Sequence, residues 1–171
     1  SIAEAVAGAD FVFSMLPKGE HARSVYFDAG GVFDSASTDT LLVDDSTIDV
    51  DTARALHAGA RERGFRFIDG PGSGGVGGAQ AGTLTFMLGG ADADVEAVRP
   101  VVEAMAGNIF HAGGDGAGQA AKIVNNMQLA ISLQGVVEGA VLAQRFGLDP
   151  KVFFDIAKVS SGDSWPLRNW Y

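Results

Sequence analysis

The sequence predicts an α/β sheet of the doubly wound kind, followed by the start of an all-helical region. Two observations carry that expectation. Short apolar runs bounded by turn residues alternate with helical patterns over the first two thirds of the chain, the signature of strands buried between two helical layers. From Ala117 to Phe146 the pattern then changes to a run without Pro, with Gly only at Gly118, Gly135 and Gly139, apolar on nearly every face. About 30 residues of helix extend roughly 45 Å, longer than a small domain is wide. A helix apolar all round has to be covered on all sides, so this one is expected to leave the sheet domain and run through a second, helical one.

Taken in order, Ser1 to Asp10 reads as a helix preceding a strand. Phe11 to Leu16, Leu41 to Asp44 and Phe65 to Asp69 read as strands expected to lie parallel, with helices over Gly19 to Phe27 and Val50 to Arg63 between them. Thr83 to Leu88 and Ile109 to His111 add two strands around a helix from about Asp92 to Met105, which contains Pro100. Gly147 is the expected stop of the long helix, and Asp149-Pro150 caps and opens the next.

Composition narrows the function classes. A formal net charge of -9 lacks the electrostatic footprint of nucleic-acid binding and disfavours anionic membrane surfaces. With no cysteine, disulfides, thiolate metal sites and Cys nucleophiles are excluded. His21, His57 and His111 show no metal-ligand spacing, and the first two fall on helices of solvent-facing composition, so no metal is expected. Ser46 and Ser73 have no hydrolase-like partners.

The chemistry-bearing residues cluster in two glycine-rich segments. Gly116-Ala-Gly-Gln-Ala-Ala-Lys-Ile-Val-Asn-Asn126 sets Lys122 and Asn126 one helical turn apart, on one face, among apolar neighbours. A lysine partly removed from water has its charged form disfavoured and approaches a working acid or base. Asp69-Gly-Pro-Gly-Ser-Gly-Gly75 supplies a hydroxyl at Ser73 and backbone N–H groups at Gly74 and Gly75 with no Cβ in the way, a nest suited to a carboxylate. Two glycine patterns are decoys for a pyrophosphate fingerprint. Gly72-Ser-Gly-Gly-Val-Gly77 is expected to be followed by a strand instead of a helix, and Gly116 to Ala121 finds its acidic residue, Glu138, inside the long helix.

These motifs, in this order, resemble those of the β-hydroxyacid dehydrogenases. The family's D-x-P-x-S-G-G loop, G-T-L-T strand and G-x-G-x-x-x-K-x-x-x-N helix read here as Asp69 to Gly75, Gly82-Thr-Leu-Thr85 and Gly116 to Asn126. Ser14-Met-Leu-Pro17 and Asp45-Ser-Thr-Ile48 extend the likeness, and Ser160-Ser-Gly162 with Trp165 is most like the 3-hydroxyisobutyrate branch. The resemblance implies a partial Rossmann-like NAD-binding domain over residues 1–115, its first strand–helix–strand unit upstream, and a partial all-α domain over residues 116–171. It implies Lys122 as general acid and base with Asn126 beside it, and a substrate carboxylate on Ser73, Gly74 and Gly75. Leu16, Pro17 and Thr47 then lie at strand ends on the NAD (or NADP) side. The implied activity is oxidation of 3-hydroxyisobutyrate in valine breakdown, by a cytoplasmic homo-oligomer assembled through the helical domain, or a mitochondrial-matrix one in a eukaryote.

The alternatives are a tartronate semialdehyde or glyoxylate-type reductase and a non-catalytic oligomerising remnant. Imine reductases of the fold usually lack the lysine, and a 6-phosphogluconate dehydrogenase would want a basic cluster. Without the fingerprint turn, the 171-residue chain alone is expected to be inactive. Gly70 and Gly72 stand where the family usually has Ala and Val, and are expected to loosen the substrate loop.

Overall fold

The computed structural model describes residues 1–170, and the chain divides into two compact units, Ser1–Ile123 and Val124–Tyr171. The first unit opens with α1 (Ile2–Val6), β1 (Phe11–Ser14), α2 (Gly19–Phe27), α3 (Val32–Ser35), β2 (Leu41–Asp44), α4 (Val50–Glu62) and β3 (Arg66–Asp69). It continues through β4 (Gly72–Ser73), α5 (Gly75–Ala81), β5 (Leu84–Gly89), α6 (Asp92–Val102) and β6 (Ala106–Gly113). The helix α7 (Ala117–Arg145) begins in this unit and continues in the second, which adds α8 (Pro150–Ala157) and α9 (Trp165–Asn169).

Strands β1, β2 and β3 pair in parallel, Phe11 against Leu41 and Leu41 against Arg66. Side chains alternate across them, as strand geometry requires. Leu42 and Phe67 join Tyr26, Phe33, Leu56 and Ala60 in one core, while Leu41, Val43 and Ile68 join Leu88, Val95, Val98 and Val102 in another. Both faces are covered, which is why these strands read as continuous apolar runs instead of alternating ones.

The expectation of parallel strands ends at β3. β5 runs antiparallel to it, Asp69 opposite Gly89, and β6 runs parallel to β5. β4 continues the same antiparallel register along β5, with Gly72 opposite Phe86 and Ser73 opposite Thr85. The Met87 N–H donates to the Pro71 carbonyl between them. Thus β3 and β4 lie in succession along β5 in one register, interrupted at Gly70-Pro71, and the substrate-type loop is held by β5.

A second expectation is corrected here. The glycine pattern at Gly72–Gly77 does lead into a helix, α5, at Gly75. It still differs from a fingerprint turn, because β4 is a two-residue strand antiparallel to the strand that follows α5, whereas the fingerprint joins parallel strands.

In the second unit, Val136 and Ala140 of α7 pack with Phe153, Phe154 and Ala157 of α8 and with Leu167 of α9. Gly147 adopts φ +75 and the Leu148 N–H donates to the Ala143 carbonyl, closing α7. The Asp149 carboxylate accepts from the Lys151 N–H with Pro150 in the first turn of α8. Met127, Ile131, Val141, Leu142 and Phe146 are exposed, so much of the apolar surface anticipated for this helix is uncovered. No helix among the described residues is long and apolar enough to cross a membrane.

Candidate functional site

The carboxyl ends of β1 and β2 carry the first set of candidate residues. Ser46 Oγ accepts from the Leu16 N–H (2.7 Å) and donates to Asp44 Oδ1 (2.6 Å), which also accepts from Ser14 Oγ (2.6 Å). The turn bearing Leu16 and Pro17 is thereby tied to the loop bearing Thr47. Thr47 itself is exposed between the buried Ser46 and Ile48. Its two neighbours are clamped from α7: the fully buried Gln119 donates Nε2 to the Ser46 carbonyl (2.6 Å) and accepts the Ile48 N–H on Oε1 (3.1 Å).

Lys122 follows one turn along α7 and is 8% exposed. Among the described residues no carboxylate lies within ion-pair distance of it, and burial holds its pKa below the ordinary lysine value. Asn126, a further turn on, is half-buried.

Ser73 lies in β4, and Gly74 (φ +136) and Gly75 (φ +63) turn the chain into α5. Both angles fall where L side chains are strained, so the loop needs glycine at these positions. A Cβ on Gly75 would meet nothing, whereas one on Gly74 would come within 3.1 Å of Leu84. The open side of the nest is therefore at Gly75.

Gly70 does not loosen the loop. It is buried, and a Cβ there would lie 2.9 Å from Asp45 Oδ1 and 3.0 Å from Leu88. The missing methyl makes room for the Asp45 side chain. Burial, and then the neighbouring Asp44 charge, push the Asp45 carboxyl up to about 7, and its Oδ1 finds no hydrogen-bond partner among the described residues. Burial likewise raises Asp44, opposed by its two serine donors, and Asp44 Oδ2 is also unpaired.

A carboxyl whose folded pKa exceeds its ordinary 3.8 favours folding fully below that value and loses this contribution as pH rises through about 7. Asp45→Asn should therefore gain stability over the parent between pH 5 and pH 8, on the order of 3 kcal/mol at the upper end. Melting temperatures of the two proteins at both pH values check this. A parallel pH dependence in both would show that Asp45 does not titrate there.

His57 overturns its expected role. It is 4% exposed, on the stripe of α4 that buries Ala53, Leu56 and Ala60, with Nε2 2.7 Å from Asp69 Oδ1. Its spacing of four from Ala53 and three from Ala60 was the available signal; the surrounding arginines obscured it. His21 is exposed as anticipated, and His111 closes the β6 end through the Gly90 and Gly113 carbonyls. Asp69 and Gln119, which hold the candidate residues in place, were not singled out as site residues from sequence.

Three parallel strands of a mixed sheet, covered on both faces, with ligand-type loops at their carboxyl ends and a buried lysine on the helix that follows, define a dinucleotide-binding oxidoreductase fold. Comparison with known proteins agrees. Residues 1–114 match the profile of the NAD-binding domain of 6-phosphogluconate dehydrogenase. Residues 116–171 match the NAD-binding profile of NADP-dependent 3-hydroxyisobutyrate dehydrogenase. The chain belongs to the β-hydroxyacid dehydrogenase family.

Among its relatives, an NAD-dependent L-serine dehydrogenase of Pseudomonas aeruginosa is 48% identical over 98% of this chain and 56% of its own length. A 3-hydroxyisobutyrate dehydrogenase of the same organism is 47% identical over 94% of this chain and 54% of its own length. The solved structure of Mycobacterium tuberculosis 3-hydroxyisobutyrate dehydrogenase with L-serine superposes with a TM-score of 0.91 at 46% identity, covering 99% of this chain and 57% of that one. The chain thus spans about half the length of the relatives it matches.

Proposed function

We propose that this chain forms the lysine-bearing part of an NAD-dependent 3-hydroxy acid dehydrogenase whose substrate is 3-hydroxyisobutyrate, oxidised to methylmalonate semialdehyde in valine catabolism. The observation that carries the reading is Lys122: a buried amine with no carboxylate partner among the described residues, one turn beyond the residue that clamps the Thr47 loop. The proposed division into an NAD-binding domain (1–115) and a helical domain (116–171) puts this lysine at the start of the helical part.

Lys122 Nζ takes the hydroxyl proton in oxidation and returns it in reduction of the aldehyde. Asn126 fixes the same substrate oxygen. Ser73 Oγ and the N–H groups of Gly74 and Gly75 receive the substrate carboxylate. Leu16, Pro17 and Thr47 fit the flank of a dinucleotide, since Thr47 is exposed at the carboxyl edge while its backbone neighbours are fixed by hydrogen bonds. NAD, or NADP, supplies the acceptor for the hydride leaving the carbinol carbon. The helical part is proposed to carry the contacts of a homo-oligomer, supported by the exposed apolar side chains of α7.

L-serine is the second reading, also a 3-hydroxy acid, favoured by the 48% identical relative and by the ligand of the superposed structure. Measuring kcat/KM with NAD for both acids, in the complete protein that carries this chain, separates the two; turnover of neither overturns both. Ser73→Ala tests the nest better than any change at Gly74, where φ +136 strains every side chain. Loss of a hydrogen bond to a charged group corresponds to a rise in KM of about tenfold to a hundredfold, with NAD affinity unchanged. Unchanged KM with weakened NAD binding would instead assign this loop to the cofactor.

A further inference from the structure

Asp69 ends β3 with its side chain fully buried, and three elements meet at its carboxylate. Oδ1 accepts the Gly116 N–H and Oδ2 the Gln119 N–H, both at 2.9 Å, at the opening of α7. Oδ1 also lies 2.7 Å from His57 Nε2 on α4. The other ring nitrogen, Nδ1, faces Asp115 Oδ1 at 3.3 Å, and Asp115 pairs with Arg61 at the surface. An anion at the first turn of a helix satisfies amides that no helical carbonyl can reach. Here it also determines where a 29-residue helix starts.

The fit leaves little freedom. A Cβ on Gly89 would lie 2.5 Å from Asp69 Oδ1 and 2.6 Å from the Gly118 nitrogen. Gln119, whose amide is one of the two anchored, carries the clamp on both sides of Thr47. Lys122 projects from the next turn. The position of the Asp69 carboxylate is thus transmitted to the lysine and to the cofactor-side loop together.

We infer that His57 is a positioning residue for the Lys122 reaction: by holding Asp69 from behind, it sets the first turn of α7 and so the placement of Lys122 and Thr47. The inference rests on the proposed dehydrogenase reading, and His57 itself touches no substrate. Its loss leaves the buried Asp69 carboxylate with only the helix amides and free to turn. Misplacement of a reacting group by about 1 Å can cost around a hundredfold in rate, without a matching loss of substrate binding.

The test compares His57→Asn with His57→Gln in the complete enzyme, as kcat per mole of folded protein, with melting curves in parallel. Glutamine places an amide N–H near the former Nε2, whereas asparagine reaches only as far as Nδ1. The expected result is a kcat lowered at least about tenfold in His57→Asn, KM within about threefold, and recovery in His57→Gln. A residue with only a structural role would lower the melting temperature of both variants and leave kcat of the folded fraction unchanged. That outcome, or equal impairment of both, overturns the inference.

Should His57→Asn fail to fold, Asp115→Ala removes the partner of the other ring nitrogen from the half-exposed side, and unchanged kcat there overturns it equally. Amide exchange at Gly116 and Gln119, expected to quicken in His57→Asn, separates the two levels of the argument. Quickened exchange in a protein without hydroxy-acid turnover would sink the proposed reaction and leave the anchor standing. Unchanged exchange and kcat in an active enzyme would sink the anchor alone.

Discussion

Replacing Lys122 with methionine or alanine is expected to lower turnover by about a hundredfold or more, the usual worth of a positioned acid–base group, with cofactor affinity nearly unchanged. The methionine substitution should at the same time stabilise the protein near neutral pH. Burial holds the lysine below its ordinary pKa, so its contribution favours folding above about 10.5 and is lost as pH falls through the folded value. At pH 7 the native state therefore bears the cost of a partly desolvated ammonium, which methionine removes while filling similar volume.

A residue whose removal raises stability and abolishes rate is retained for its chemistry. Lys122→Arg keeps the charge but cannot release its proton, and should be as inactive as alanine if proton transfer is the role. In the parent, oxidation should rise with pH as the amine is freed, and this limb should vanish in all three variants. Initial rates across pH, with denaturation midpoints of the same samples, check both halves. Turnover within a few-fold of the parent would remove Lys122 from the reaction.

Local chemistry was legible in the sequence, and long-range support was not. Leu41-Leu42-Val43 reads as a strand buried on both faces because three apolar residues in succession leave no solvent side. Lys122 stands out because a charge in an apolar helical stretch needs a reason. The residues holding these groups speak only through partners far along the chain. Asp69 reaches Gly116 across 47 positions, and Gln119 reaches Ser46 across 73.

The same limit applies to topology. Nothing local in Gly70-Pro71 says that β3 is interrupted there and resumes as β4, because the register is set by β5. α5 was missed for the opposite reason: a helix of Gly-Val-Gly-Gly-Ala-Gln-Ala contradicts its own propensity, each interior glycine costing about 1 kcal/mol relative to alanine. Tertiary context wins there, through the Gly74 turn and the Gly82 left-handed cap. Gly70 was read as added freedom, whereas the folded chain uses its missing methyl to seat Asp45.

Gly118→Ala is expected to be among the most destabilising single changes in the chain, although alanine is the better helix former. Propensity alone predicts a gain of about 1 kcal/mol. Gly135, in the same helix with open space where a Cβ would stand, should show that gain. At Gly118 the added Cβ would run into the Met87 carbonyl oxygen and lie 2.5 Å from that of Asp69, with Asp69 Oδ2 at 2.9 Å. The obstacles are backbone atoms of β5 and β3, which cannot rotate aside, so α7 has to lift.

Lifting it stretches the Gly116 and Gln119 bonds to Asp69, charge-assisted and worth about 1.5–3 kcal/mol each. The expected loss is therefore on the order of 3–5 kcal/mol, opposite in sign to Gly135→Ala. Denaturant midpoints of the two variants against the parent decide it. A Gly118→Ala protein as stable as the parent would mean that α7 does not start against the β3 and β5 ends, and that the anchoring of Lys122 through Asp69 is wrong with it.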